Sequence, residues 1–275
     1  MKKIFALMLT AALAAGVLTA CGGSSSTPTS AAETTAAETS AAAEAAPAES
    51  SIDKIVFATN PEFPPFEYIT TNGVIGEYDG IDMAIAQKIG EKAGVEVEMQ
   101  SMEFDSLLVA LQNGQIDATI AGMTVTEERA KSVDFSTPYY TATQVMIVKE
   151  DSDIAKASDM EGKGIAVVQG YTGETCVSEM GYDYEAFKKG TECVMELVNG
   201  KCDVVVIDSA TAEKYVADNK GLKIVEDMDA FASEEYAIAV QKGNTELLDI
   251  INSAIDEMLA DGTISELSAK YIDEQ

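Results

Sequence analysis

An arginine placed just inside a helix start is the first residue that calls for a chemical explanation. Arg129 lies in "AGMTVTEERAKSVDFSTPYY", Ala121 to Tyr140. The Thr/Glu-rich turn before it reads as a helix N-terminus, and Phe-Ser-Thr-Pro-Tyr-Tyr reads as the exit. Cations are favoured at the opposite end of a helix. Arg129 is therefore either a solvated surface charge or one half of a pair with a bound anion. Asp208 is the second such residue. It ends the apolar run Val204-Val205-Val206-Ile207 and precedes "SATAEK", where it can cap the next helix or point an acid at a ligand.

Other chemistries are excluded by composition. The chain has no His, which removes the Ser-His-Asp triad, the Cys-His pair and every histidine metal site. Its net charge of −29 is spread along 275 residues. No basic stripe exists to neutralise phosphates, so nucleic acid is not a partner. Glu127/Glu128 and Glu234/Glu235 read as ordinary acidic surface or helix-start residues rather than catalytic pairs. Glu62 and Glu67 read as solvated. No metal and no cofactor is expected.

The first residues form a targeting signal. Lys2 and Lys3 precede a short apolar run, Ile4 to Leu18, too short for a comfortable membrane span. Then comes Leu18-Thr19-Ala20-Cys21, which resembles the lipobox of bacterial lipoproteins. The resemblance implies cleavage after residue 20 and acylation of Cys21. Two or more acyl chains would give stable anchoring. Residues 22–51 use only Ala, Glu, Gly, Pro, Ser and Thr. They cannot build a core and read as a disordered tether. Of the remaining cysteines, Cys202 reads as a buried free thiol beside an apolar run. The odd count of Cys176, Cys193 and Cys202 allows one disulfide at most.

These residues need a scaffold, and the pattern from residue 52 supplies one. "KIVFAT", "VEVEMQ", "IDATIAG", "QVMIV", "GIAVVQG", "YEAF", "CDVVVID", "LKIV" and "YAIAV" read as strands. Between them, amphipathic stretches such as "DGIDMAIAQKIGEKAG" and "EFDSLLVALQNGQ" read as helices, and two more helices close the chain. Alternation of this kind gives a parallel-rich α/β fold, and the number of strands suggests two lobes. In such sheets ligands bind beyond the C-terminal strand ends. The loops "TNPEFPPFEY", "AGMTVTEER", "QGYTGET" and "DSATAE" should then face one crevice.

Those loops together resemble the extracellular solute-binding proteins of polar amino-acid ABC importers. The strings "ATNPEFPPFEY", "GEYDGIDMAIAQKIGEKAG", "FDSLLVALQNGQIDATIAGMTVTEERAKSVDFSTPYY", "GKGIAVVQGYTGET", "LVNGKCDVVVIDSATAEKY", "YAIAVQKGN" and "DGTISELSAKY" carry the resemblance in order from 54 to 271. It implies a two-lobed periplasmic-binding-protein-like α/β fold with two hinge crossings, near 141–143 and 235–238. The first lobe would be 52–141 plus 237–275 and the second 142–236. It also implies a monomer that binds one free amino acid, closes like a flytrap and delivers its load to permease subunits.

By the same resemblance Arg129 holds the α-carboxylate and Asp208 the α-ammonium. The physics agrees: a zwitterion is costly to desolvate unless both charges are met, and Arg offers a planar fork to a carboxylate. N–H groups at Thr124–Thr126 and Thr172–Gly173 can add to the anion site. Phe63 and Phe104 would form aromatic walls or belong to the core. Gly122 and Thr124 match small or hydroxyl positions that bond the ligand. Asn60 stands where some relatives of cationic specificity carry Asp, a departure that weakens a Lys, Arg or His ligand without excluding it. Tyr171 replaces a commoner Thr beside Thr172; it narrows the pocket or turns outward. Tyr139 and Tyr140 read as hinge packing. The competing function is a dehydratase-type enzyme on the same fold, with Arg129 holding a small carboxylate. A ligand-sensing domain is a third reading.

Overall fold

A computed structural model describes residues 52–273. The signal peptide, the tether and Cys21 lie outside the described residues.

The chain opens with β1 (Lys54–Thr59), three short strands β2 (Glu62–Phe63), β3 (Glu67–Ile69) and β4 (Tyr78–Asp79), and α1 (Ile81–Ala93). In α1 the residues Ile81, Ala84, Ile85 and Ile89 are buried at helical spacing. The helix stops at Gly94, whose φ of 70° is the left-handed cap that glycine favours. Then follow β5 (Glu96–Ser101), α2 (Phe104–Gln112), β6 (Ala118–Thr119), α3 (Glu127–Ala130) and β7 (Val133–Phe135). The long strand β8 (Tyr140–Lys149) leads into β9 (Ile165–Val168), α4 (Thr172–Glu179), β10 (Glu185–Phe187) and α5 (Gly190–Val198). The last part holds β11 (Val204–Asp208), α6 (Ser209–Asp218), β12 (Leu222–Val225), β13 (Ser233–Tyr236), β14 (Ala239–Gln241), α7 (Thr245–Ala260) and α8 (Thr263–Asp273).

Two main sheets result, one per lobe. The first has the order β5-β1-β6-β14-β7 and the second β10-β9-β11-β8-β12. The inner strands of each are parallel: β1 with β5 and β6, and β9 with β10 and β11. Strands β14 and β8 run antiparallel to their sheets. Strand β14 comes from the C-terminal part, so the first sheet is completed by chain that has already passed through the second. Helix α7 then covers that sheet through Leu247, Ile251, Ala254, Ile255 and Met258, spaced as one buried stripe.

The passages between the sheets run side by side. Strand β13 pairs antiparallel with the start of β8, with Ser233 opposite Thr143 and Tyr236 opposite Tyr140. The crossings expected near 141–143 and 235–238 are thus one two-stranded ribbon. Two details differ from the sequence reading. Val133–Phe135 forms an unexpected edge strand, where the sequence suggested only a helix exit. "YAIAV", read as one strand, is split between β13 and β14. In the second sheet β10-β9-β11 gives opposite faces to α4 and α5. Cys176 packs against one hydrophobic cluster and Cys193 is buried in the other. Cys176, Cys193 and Cys202 are free thiols. Cys202, expected buried, is only partly so.

Candidate functional site

The four loops named from the sequence converge. Residues at the ends of β1, β6, β9 and β11, together with Phe104 at the start of α2, line one cleft. Phe63, Phe104 and Tyr171 form its apolar walls. Ala121, Gly122, Thr124 and Thr172 form its small and hydroxyl-bearing surface, and Arg129 and Asp208 supply charge.

Arg129 is the sole arginine of the sequence. Its α3 is a single turn, so the helix-dipole argument carries little weight here. Local chemistry fixes the residue instead. Thr126 caps the turn by accepting from the Arg129 N–H at 3.2 Å. The guanidinium donates from Nη1 to the Thr124 carbonyl at 2.7 Å and from Nη2 to the Gly170 carbonyl at 2.9 Å. It also lies over the Phe104 ring, 5.3 Å from the centroid. Burial lowers its pKa, and the negative charges of Glu234 and Asp208 oppose that shift. The backbone donors expected around it divide. The Val125 N–H is engaged by the Glu235 carbonyl at 2.8 Å, because Thr124 bridges to the hinge ribbon at Tyr236. Thr172 and Gly173 open α4, where no preceding turn supplies carbonyl partners.

Asp208 is buried at the end of β11. It is the N-cap residue of α6, yet its side chain makes no capping hydrogen bond. The carboxylate instead accepts from the Tyr236 hydroxyl at 2.5 Å and lines the cleft. Burial raises its pKa, with further upward pressure from Glu234. A cation in the cleft would reverse that shift.

The aromatic walls meet both readings made of them: Phe63 and Phe104 are buried and also face the cleft. Tyr171 turns inward. Its ring packs edge-on against Phe104 at 4.5 Å and Phe63 at 5.3 Å, and its hydroxyl donates to Asn60 Oδ1 at 3.4 Å. Asn60 is therefore not brought to the cleft wall. It sits behind Tyr171, with Nδ2 donating to the Met102 carbonyl at 3.1 Å. Gly122 has φ +52°, and a Cβ there would lie 2.6 Å from the Phe63 ring. Only glycine lets that turn approach the aromatic wall. Tyr139 and Tyr140 pack as expected, Tyr140 against Phe66 and Tyr236.

Two acids were misread from the sequence. Glu234 is no idle surface charge. Its Oε2 accepts from the Thr124 hydroxyl at 2.8 Å and the Thr172 hydroxyl at 2.6 Å, joining the two lobes at the cleft. The signal was strand alternation: in β13 one of Glu234 and Glu235 must face inward. Glu67, read as solvated, is fully buried. Beyond the cleft, Lys188 donates to Asp105 at 2.7 Å and Lys189 to Glu62 at 2.6 Å, again across the lobes.

Similarity to known proteins agrees with this geometry. The family model for bacterial extracellular solute-binding proteins, family 3, matches residues 55–274. The arginine-binding extracellular protein ArtP of Bacillus subtilis (strain 168) is 33% identical over 275 residues, covering 98% of each chain. The ABC transporter glutamine-binding protein GlnH of the same organism is 33% identical over 280 residues, covering 100% of this chain and 98% of that one. Among solved structures, the arginine-, lysine-, histidine-binding protein ArtJ from Geobacillus stearothermophilus superposes with a TM-score of 0.75 at 35% identity, over 79% of this chain and 94% of its own. This is a family of receptors rather than enzymes, so the dehydratase alternative has no support in it. The chain belongs to the bacterial extracellular solute-binding proteins of family 3.

Proposed function

We propose that this solute-binding protein captures one free α-amino acid between lobes 52–141 plus 237–275 and 142–236, and hands it to the permease subunits of an ABC importer. It works as a monomer outside the cytoplasm, held at the membrane by acyl chains on Cys21. The observation that carries the reading is the pairing of Arg129 and Asp208 on one cleft. Arg129 binds the α-carboxylate together with the first N–H groups of α4. Asp208 binds the α-ammonium, and Thr124, Thr172 and Gly122 complete the polar contacts. Phe63, Phe104 and Tyr171 enclose the side chain, with Asn60 holding the Tyr171 hydroxyl from behind.

The charge balance points to a substrate class. The cleft region has one guanidinium against the carboxyl groups of Asp208 and Glu234. A zwitterion adds no net charge, whereas an amino acid with a cationic side chain offsets the surplus acid. The neutrality of Asn60 does not count against such a ligand, since Asn60 lies behind the wall. The names of the relatives, arginine for one and glutamine for another, give the first two ligands to compare. A thermal-shift screen of the twenty amino acids plus cystine and ornithine tests the reading. The expected result is stabilisation by basic amino acids above all others, abolished in Arg129→Ala. No stabilisation by any of them would overturn it.

A further inference from the structure

The Gly122 turn rests on a second pair of acids that do not line the cleft. Glu67, on β3, and Asp82, in the first turn of α1, are both fully buried. Asp82 Oδ2 accepts from the Gly122 N–H at 2.8 Å and from the Tyr139 hydroxyl at 2.9 Å. Asp82 Oδ1 and both carboxyl oxygens of Glu67 meet no N–H or O–H donor from any neighbouring group. The two carboxyls adjoin each other. The ionisable groups facing Glu67 from the surrounding elements are Asp82, Asp208 on β11, Tyr139 ahead of β8, Tyr171 ahead of α4 and Tyr215 on α6. No cation is among them.

Two adjoining carboxyls enclosed without a countercharge cannot both ionise. A proton between them resolves the conflict and supplies the missing donor. We infer that Glu67 is a positioning residue of the ligand site: its carboxylic acid O–H donates to Asp82, and the Asp82 carboxylate so completed holds the Gly122 N–H and sets the Gly122 turn against Phe63. The assignment of the proton to Glu67 fits the balance of forces. Burial and then the neighbouring Asp82 charge push Glu67 well above the usual carboxyl range. Asp82 is also raised by burial but is drawn back by hydrogen bonds from Gly122, Tyr139 and Glu67. The pair titrates as a unit. Loss of its last proton places two like charges beneath the turn and removes the donor between them. Because Gly122 has no slack against Phe63, the disturbance reaches the cleft wall, and ligand affinity falls on the alkaline side through a group that does not line the cleft.

Infrared spectroscopy in D₂O tests the proton itself, independently of any ligand. At neutral pH the protein carrying Asp208→Asn, which removes the other buried acid of raised pKa, should show the C=O stretch of a buried carboxylic acid, and adding Glu67→Gln should abolish it. Calorimetry with L-arginine and L-glutamine as probes, from neutral to alkaline pH, tests the positioning role, and this arm rests on the amino-acid reading. Glu67→Leu, which has no donor, should weaken binding at every pH. Glu67→Gln, whose amide can donate to Asp82, should recover most of the affinity at neutral pH and lose the part of the alkaline decline that titration of the ligand's own α-ammonium does not account for. If Glu67→Leu does not fold, the infrared spectrum and Glu67→Gln decide the matter alone. An unchanged carboxylic-acid band on adding Glu67→Gln overturns the inference, as does an unchanged alkaline decline. Failure of both probes to bind the wild-type protein would sink the functional proposal and leave the infrared result to judge the shared proton.

Discussion

Two buried acid sites lie on either side of the cleft wall, and the same force has driven them to different ends. Asp208 and the Glu67–Asp82 pair are all removed from water, and burial is the largest cause of their raised pKa values. Asp208 keeps an open face: it borders the cleft and stands in the field of Arg129. Its charge is completed by a cation that arrives. The Glu67–Asp82 pair is closed on every side and is completed by a proton that stays. Burial of an acid therefore marks a ligand site only where space and a countercharge accompany it. Where they are missing, the same residue type serves the framework.

The largest expected effect falls on the open side. Arg129→Ala should cost about 2–5 kcal/mol of binding, since it leaves a ligand carboxylate without its partner in a desolvated cleft. Calorimetry checks this, and an intact thermal transition without ligand should accompany it, because the side chain is only partly buried. Asp208→Asn should weaken binding of free amino acids by a similar order, but barely affect analogues that lack the α-amino group. Equal loss for both kinds of ligand would move Asp208 from the open class to the framework class.

Glu234→Gln sharpens the charge argument. If the acid surplus selects a basic side chain, the preference for L-arginine over L-glutamine should shrink by about tenfold, or 1.4 kcal/mol. An unchanged ratio would confine Glu234 to holding the Thr124 and Thr172 hydroxyls.

On the closed side the effect is smaller and depends on pH. The unfolded chain sheds the Glu67 proton near pH 4.3, while the folded chain retains it to much higher pH. The folded state then binds more protons, and stability contributed by this group falls as pH rises above that point. Glu67→Gln removes the slope. Its melting temperature relative to wild type should rise steadily from acid to alkaline pH, and a constant difference would show that Glu67 ionises normally. The smallest effect belongs to the rim. Lys188→Gln and Lys189→Gln remove half-exposed ion pairs across the lobes. Each should weaken binding by less than about 1 kcal/mol, and high salt should erase the difference.

Much of this was legible in the sequence, for physical reasons. The helical stripe of α1 and the apolar β9 and β11 are set by periodicity, and the four loops at strand ends followed from α/β geometry. Arg129, Asp208, Phe63, Phe104, Gly122, Thr124, Tyr171 and Thr172 all reached the cleft. What escaped depended on partners distant along the chain. Val133–Phe135 is too short to show alternation and is a strand only because β14 pairs with it. Thr141-Ala142-Thr143 has no large apolar residue, so β8 is legible in the sequence only from Gln144 onward. Whether Tyr171 faced in or out depended on Asn60, 111 positions away. Glu67 reads as solvated from the sequence because isolated acids usually are. Asp82, which makes it an exception, lies in the next helix.

The central claim is that one amino acid joins the two lobes through Arg129 on one and Asp208 on the other. Ligand contacting both favours the closed arrangement by its differential affinity, and ligand contacting one does not. Small-angle scattering of the 52–275 chain measures this directly, with and without a saturating concentration of the amino acid selected by the thermal-shift screen. The expected result is a smaller radius of gyration with ligand, a change largely lost in Asp208→Ala at a concentration that still saturates it. An unchanged radius for the wild-type protein at saturation would contradict binding between closing lobes, however tight that binding proved to be.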